Sequence, residues 1–168
     1  MVAAGPSSRS ARRGRVAGPP GQGKGLVYQK SPGTADVPLP RPPGAMSYLT
    51  VALGGALGAM LRYGLSGWLH AATGWLFPIG TLAVNVLGSF IIGVVLELSA
   101  GRYLFSPEAR LLITTGFCGG LTTFSTFSFE TVALLEEQQW GPAAGNVLLN
   151  VGVCIVATYL GAALARAV

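Results

Sequence analysis

From Met46 onward the chain alternates long apolar runs with short polar breaks. The runs lie at about Tyr48 to Leu69, Ile79 to Ser99, Pro107 to Glu136 and Pro142 to Arg166. A helix needs about 20 mainly apolar residues to span a bilayer. The pattern therefore predicts an all-α membrane protein with four transmembrane helices. The third run is too long for one simple span, and its middle is wrong for a plain helix. Gly116, Gly119 and Gly120 fall within five residues, and each glycine costs about 1 kcal/mol relative to Ala in a helix interior. A run of hydroxyls follows, with Phe124 and Phe127 three apart. The expectation is a break near Gly119 to Thr123. Hydrocarbon cannot satisfy free backbone groups, so irregular backbone at that depth lines a wet cavity or is buried in protein. Broken helices offer free carbonyls on one side and free N–H groups on the other, which suits ions. The same glycines also fit a packing face, because Gly116 and Gly120 have GxxxG spacing.

The polar positions inside the runs are few. In the first helix Gly54, Gly55 and Gly58 form a close-packing face, and Arg62 sits about two turns from the far end. A charge there is either functional or snorkels to the interface. His70, Thr73 and Gly74 read as a short loop between the interface anchors Trp68 and Trp75, with His70 solvated. In the second helix Thr81, Asn85 and Ser89 recur every four residues and share a face. Asn85 either bonds across helices or lines a polar path. Ser106, Pro107 and Glu108 read as a cap, a first-turn proline and a dipole-matched acid. Glu130 lies about 10 Å along a helix from Thr123, and is either a functional carboxylate or half of a buried ion pair. Gln138 to Gly141 turns the chain, with Trp140 as an anchor. The last helix carries Asn146, Asn150, Cys154 and Thr158 at spacings of four. Facing the stripe on the second helix, they read as a polar track. One chain with so few polar residues encloses no roomy pore; two copies can build a path between them.

Composition agrees with this class. The chain has 168 residues, 51% apolar and 10% charged, with a mean hydropathy of +0.55. The net charge of +5 is uneven, since seven of the eleven basic residues precede Met46. Past that point Arg62, Arg102, Arg110 and Arg166 face five glutamates. No basic face exists for nucleic acid. Cys118 and Cys154 make neither a disulfide framework nor a metal spacing. No acid–His–nucleophile set or phosphate loop points to an enzyme. Residues 1–45 are rich in Gly, Pro, Ser and Arg, a disordered composition without the apolar core of a secretory signal. They read as a start assigned too early or as a basic cytoplasmic tail. Residues 46–168 read as one four-helix membrane domain.

Three motifs carry a resemblance. They are GGALGAMLRY from Gly54, GTLAVNVLGSF from Gly80 and GFCGGLTTFSTFSFE from Gly116. In order and placement they resemble the CrcB/Fluc family of fluoride channels, from Met46 to the end of the chain. The resemblance implies an antiparallel dimer of four-helix copies in the cell membrane. It implies a pair of narrow fluoride pores and a structural sodium ion at the interface, held by the backbone carbonyls of Gly119 and Thr122. Phe124 and Phe127 become the rings beside the pores, Asn85 a pore-lining amide and Arg62 a residue of the pore entrance. Glu130 and the stripe of Asn146, Asn150 and Thr158 become polar lining. The asparagines depart from the family, where smaller hydroxyls or Tyr are common. The chemistry is compatible. Fluoride is small and strongly hydrated, and the Asn85 amide with the hydroxyls of Thr123, Ser125 and Thr126 can donate to it. A phenyl ring presents a positive edge to an anion, and carbonyl oxygens suit a hard cation.

Two other functions compete. A proton-coupled exporter of cationic drugs uses a carboxylate midway along the first helix; here that helix has no acid and carries Arg62. A membrane scaffold explains the glycines but not the polar stripes or Glu130. Charge also bears on orientation. Arg102, Arg110 and Arg166 share a side, while the opposite loops have no Lys or Arg. This predicts both termini in the cytoplasm. The antiparallel partner is then a second copy or an oppositely oriented paralogue.

Overall fold

A computed structural model describes residues 42–73, 77–101 and 104–167. The expectations for residues 1–41, Gly74, Trp75 and Arg102 lie outside the described residues. Among those described, all regular structure is helical: α1 (Ala45–Thr73), α2 (Ile79–Gly101), α3 (Pro107–Leu111), a π-helix (Leu112–Cys118), α4 (Gly119–Leu121), α5 (Phe124–Glu136) and α6 (Trp140–Ala167). Three helices are long and apolar enough to cross a membrane, namely Ala45–Thr73, Ile79–Ala100 and Trp140–Ala167. The remaining run, 107–136, third in chain order, is composite, as its length predicted. Leu53, Leu57, Met60, Leu148, Ile155 and Leu164 are all more than half exposed, the pattern of a surface that meets hydrocarbon.

Local chemistry sets the helix ends. Ser106 Oγ accepts from Ala109 N–H at 3.1 Å, with Pro107 in the first turn of α3. Thr123 caps α5 by accepting from Thr126 N–H at 3.2 Å. At its far end Gln138 takes a left-handed φ of 59°. Gln138 N–H donates to Leu135 O at 3.0 Å and Gln139 N–H to Leu134 O at 2.8 Å, the paired bonds of a Schellman ending. Trp140 then opens α6.

Two expectations need correction. First, α1 is longer than read. It runs on to Thr73, so His70 lies in its last turn rather than in a loop, and Arg62 sits eleven residues before its end. That is three turns, not two. Second, the glycines do not make the break. Gly119 is helical, with φ −63° and ψ −36°. The chain leaves the helix only at Thr122 and Thr123, both extended, with ψ of 156° and 119°. The glycines instead let backbones touch. A Cβ on Gly58 would run into the carbonyl of Phe117 and meet Leu121 N at 2.8 Å; one on Gly120 would run into the carbonyl of Gly55. GxxxG-type packing thus holds α1 against the π-helix and α4. A second such approach, Gly93 on Thr158 and Gly161 on Phe90, holds α2 against α6.

Candidate functional site

The site is built around the two extended residues. Asn85 of α2 grips the peptide unit at Thr123: its Oδ1 accepts from Thr123 N–H at 2.7 Å and its Nδ2 donates to Thr123 O at 3.2 Å. The second Nδ2 hydrogen goes to Asn150 Oδ1 at 2.9 Å. Asn150 donates to Asn146 Oδ1 at 2.8 Å and to Asn146 O at 3.1 Å. Asn146 donates to Thr131 Oγ1 at 2.9 Å, and Thr131 donates to Phe127 O at 2.7 Å. Asn85 bonds across helices with both of its amide hydrogens spent inside the chain, and it also lines the first groove described below. Asn146 and Asn150 are 0% and 6% exposed; both join helices, and Asn150 also lines that groove, whereas Asn146 does not. Buried amides need such partners, because each one left unpaired costs about 1–3 kcal/mol.

Two recesses flank Thr123, and Thr123 lines both. The first is a groove of about 300 Å³ between α2, α6 and the break. Asn85, Ser89, Phe124, Phe127, Cys154 and Thr158 face it. The two phenyl rings pack with centroids 5.3 Å apart and planes tilted by 55°. Phe127 is buried, whereas Phe124 is 77% exposed on the single chain. Thr158 returns its hydroxyl to Cys154 O at 3.0 Å. The second recess, of about 560 Å³, brings together Arg62, Ser66, Thr81, Ser125, Thr126 and Glu130. Glu130 Oε1 accepts from Thr81 Oγ1 at 2.7 Å, and its Oε2 is buried without a partner among the described residues. Among those residues no cation bridges to Glu130: Arg62 shares the recess without reaching it. The salt bridge among the described residues is Arg166–Glu97, at 3.7 Å near the ends of α6 and α2.

The break also frees two carbonyls. The i+4 donor for Gly119 O is Thr123 N–H, which goes to Asn85. The i+4 donor for Thr122 O is Thr126 N–H, which goes to Thr123 Oγ1. Both oxygens lack the partners a continuous helix would supply, and they are the donor type a hard cation prefers. The described residues hold no group of three or more His, Cys, Asp or Glu that could bind a metal.

Sequence reading brought out most of these residues and missed Thr131 and Ser66. Thr131 gave a signal, four residues beyond Phe127 on one helix face. Ser66 of the second recess gave none beyond its spacing of four from Arg62.

A family model described as CrcB-like protein, camphor resistance (CrcB), matches residues 49–162. The chain belongs to the CrcB family. Relatives called fluoride-specific ion channel FluC from Geotalea daltonii, Geobacter metallireducens and Sorangium cellulosum are 52%, 50% and 46% identical to it. The matches cover 69%, 72% and 69% of this chain and 94%, 98% and 91% of the relatives. This CrcB-family chain thus spans nearly the full length of each relative. Every motif residue named above lies within the family match, as do both recesses and the two glycine contacts.

Proposed function

We propose that this protein is a fluoride-selective channel of the cell membrane that lets fluoride leave the cytoplasm passively and so protects against its toxicity. HF crosses membranes and dissociates inside, and a cytoplasm held negative drives the anion out without coupling. It is a channel and not an enzyme. The observation that carries the reading is the Phe124–Phe127 pair, edge-tilted beside a groove of amide and hydroxyl groups, in a chain of this family. The positive rim of each ring suits an anion stripped of water. With the Asn85 hydrogens committed to the chain, Ser89, Ser125 and Thr126 are the donors left to replace that water. Arg62 adds positive charge to the neighbouring recess, which we read as the entrance, with Glu130 in its lining.

The finer architecture is part of the same proposal. Segment 107–136 makes a broken third span, so that residues 46–168 cross the membrane four times. The exposed face of Phe124 and the freed carbonyls of Gly119 and Thr122 support an antiparallel dimer closed on that face. Sodium at its centre, held by those four carbonyls, would supply the positive charge that keeps them together. The partner is a second copy or an oppositely oriented paralogue.

Flux from liposomes loaded with fluoride or chloride tests the function. Fluoride should leave and chloride should not. Equal leakage of both ions, or retention of both, would sink the channel reading.

A further inference from the structure

Asn146 and Asn150 of α6 are buried, and Asn150 also lines the first groove. Their chain of bonds ends on Phe127 O at one side and on the peptide unit at Thr123 at the other. We propose that Thr131, Asn146 and Asn150 are positioning residues, a one-way relay of hydrogen bonds that sets the orientation of Asn85 and so fixes the break. The inference rests on the fluoride-channel reading for its effect on transport.

The direction of the relay follows from counting hydrogens. The Thr131 hydroxyl has a single hydrogen and gives it to Phe127 O at 2.7 Å. Its oxygen is then an acceptor toward Asn146, whose Nδ2 lies 2.9 Å away. Asn146 must turn its Oδ1 the other way, where Asn150 Nδ2 meets it at 2.8 Å. Asn150 Oδ1 is thereby turned to Asn85, whose Nδ2 lies 2.9 Å away. Asn85 is left with its oxygen toward Thr123 N–H, at 2.7 Å. Reversing any one amide sets hydrogen against hydrogen or oxygen against oxygen. At Asn146, 0% exposed, no water can repair the mismatch. A leucine contact between α5 and α6 would join the helices equally well but would say nothing about which way Asn85 faces. Satisfied buried polar networks do add that information, since they hold one geometry against its alternatives.

The test removes a hydroxyl far from the groove. Thr131→Val keeps the shape and deletes the hydrogen that starts the relay. Thr131→Ser restores the hydroxyl and loses only a methyl. In the full reconstituted chain, Thr131→Val should lower fluoride flux at least fivefold, and Thr131→Ser should keep it within twofold of the unaltered protein. Asn146→Leu, cutting the relay one link on, should match Thr131→Val. Each variant is first checked for assembly by size-exclusion chromatography. Unaltered flux in either assembled variant, or an equal loss in Thr131→Ser, overturns the proposal. A second readout does not depend on transport. With ¹⁵N-asparagine labelling, the Asn85 side-chain amide should exchange its hydrogens at least tenfold faster in Thr131→Val. Unchanged exchange also overturns the relay. If the unaltered protein carries no fluoride, the channel reading falls, and amide exchange alone still decides whether the relay reaches Asn85.

Discussion

Asn85 holds the peptide unit at Thr123 from both ends, accepting from its N–H at 2.7 Å and donating to its C=O at 3.2 Å. One side chain thereby replaces the helical partners of an extended residue that is only 7% exposed. Asn85→Leu should leave both groups unpaired, at about 1–3 kcal/mol each. Thermal unfolding in detergent should show the loss, and fluoride flux should drop at least tenfold. Asn85→Asp should be little better: it keeps an acceptor for the N–H but turns oxygen toward Thr123 O and Asn150 Oδ1. Native stability in Asn85→Leu would mean that the grip is incidental.

The two phenylalanines should behave differently in stability and alike in transport. Phe127 is 8% exposed and Phe124 is 77% exposed. Replacing either with Ile removes a polarised ring edge, so both variants should lose fluoride flux. Only Phe127→Ile should also destabilise the chain, by about 1 kcal/mol for a reshaped buried contact. Flux and melting temperature measured on the same samples check both halves. Full flux in both variants would reduce the rings to packing.

Close backbone contact makes Gly58 intolerant. A Cβ there collides with the Phe117 carbonyl, whereas one on Gly64 of the same helix meets nothing within 4 Å. Gly58→Ala should destabilise by about 1–3 kcal/mol, as overpacking does. Gly64→Ala should be neutral or slightly stabilising, by up to about 1 kcal/mol. Melting curves of the two single variants compare them directly, and equal effects would contradict the packing described.

The carbonyls of Gly119 and Thr122 predict a dependence on sodium. Side-chain substitution cannot remove a backbone oxygen, so the ion is varied instead. Sodium should raise the melting temperature with the logarithm of its concentration once above the dissociation constant, a stabilisation of about 2.7 kcal/mol at a hundredfold excess. N-methylglucamine at equal ionic strength should not. Identical curves in the two salts would remove the cation from the proposal.

Orientation follows from charge. On the proposed four-span reading Arg102, Arg110 and Arg166 fall on one side, so both termini should face the cytoplasm. In a chain with Cys118 and Cys154 replaced, a cysteine placed at Ser106 should label from the cytoplasmic face alone. If it labels equally from both faces and the single gene product carries flux, the partner is a second copy.

Much of the fold was legible because membrane spans declare themselves by length and composition. The break was legible from glycines and hydroxyls, but for a partly mistaken reason. Gly116 and Gly120 carry GxxxG packing, while Thr122 and Thr123 carry the irregular backbone. Spacing alone does not separate these roles, because a glycine relieves steric conflict and backbone strain equally. The stripe on α6 was legible in part, for a related reason. Period-four spacing shows that side chains share a face, not what each one meets. Asn150, Cys154 and Thr158 line the groove, while Asn146 turns to Thr131 on a different element. The resemblance to the channel family located Phe124, Phe127, Gly119 and Thr122 by motif, which periodicity could not have done.

The π-helix of Leu112–Cys118 has a consequence for how this stretch can change in length. A π turn holds more residues than an α turn, so a chain that lost a single residue here could rewind as α-helix. An α-helix advances about 100° per residue, and the wider π turn uses about one residue more for the same rotation. Such a deletion would therefore leave Gly120 on Gly55 and the Gly119 carbonyl at the break. Loops absorb insertions and deletions as slack in the open. This segment holds its slack inside a wound helix, where one residue can be taken up or let out while everything beyond it keeps its phase.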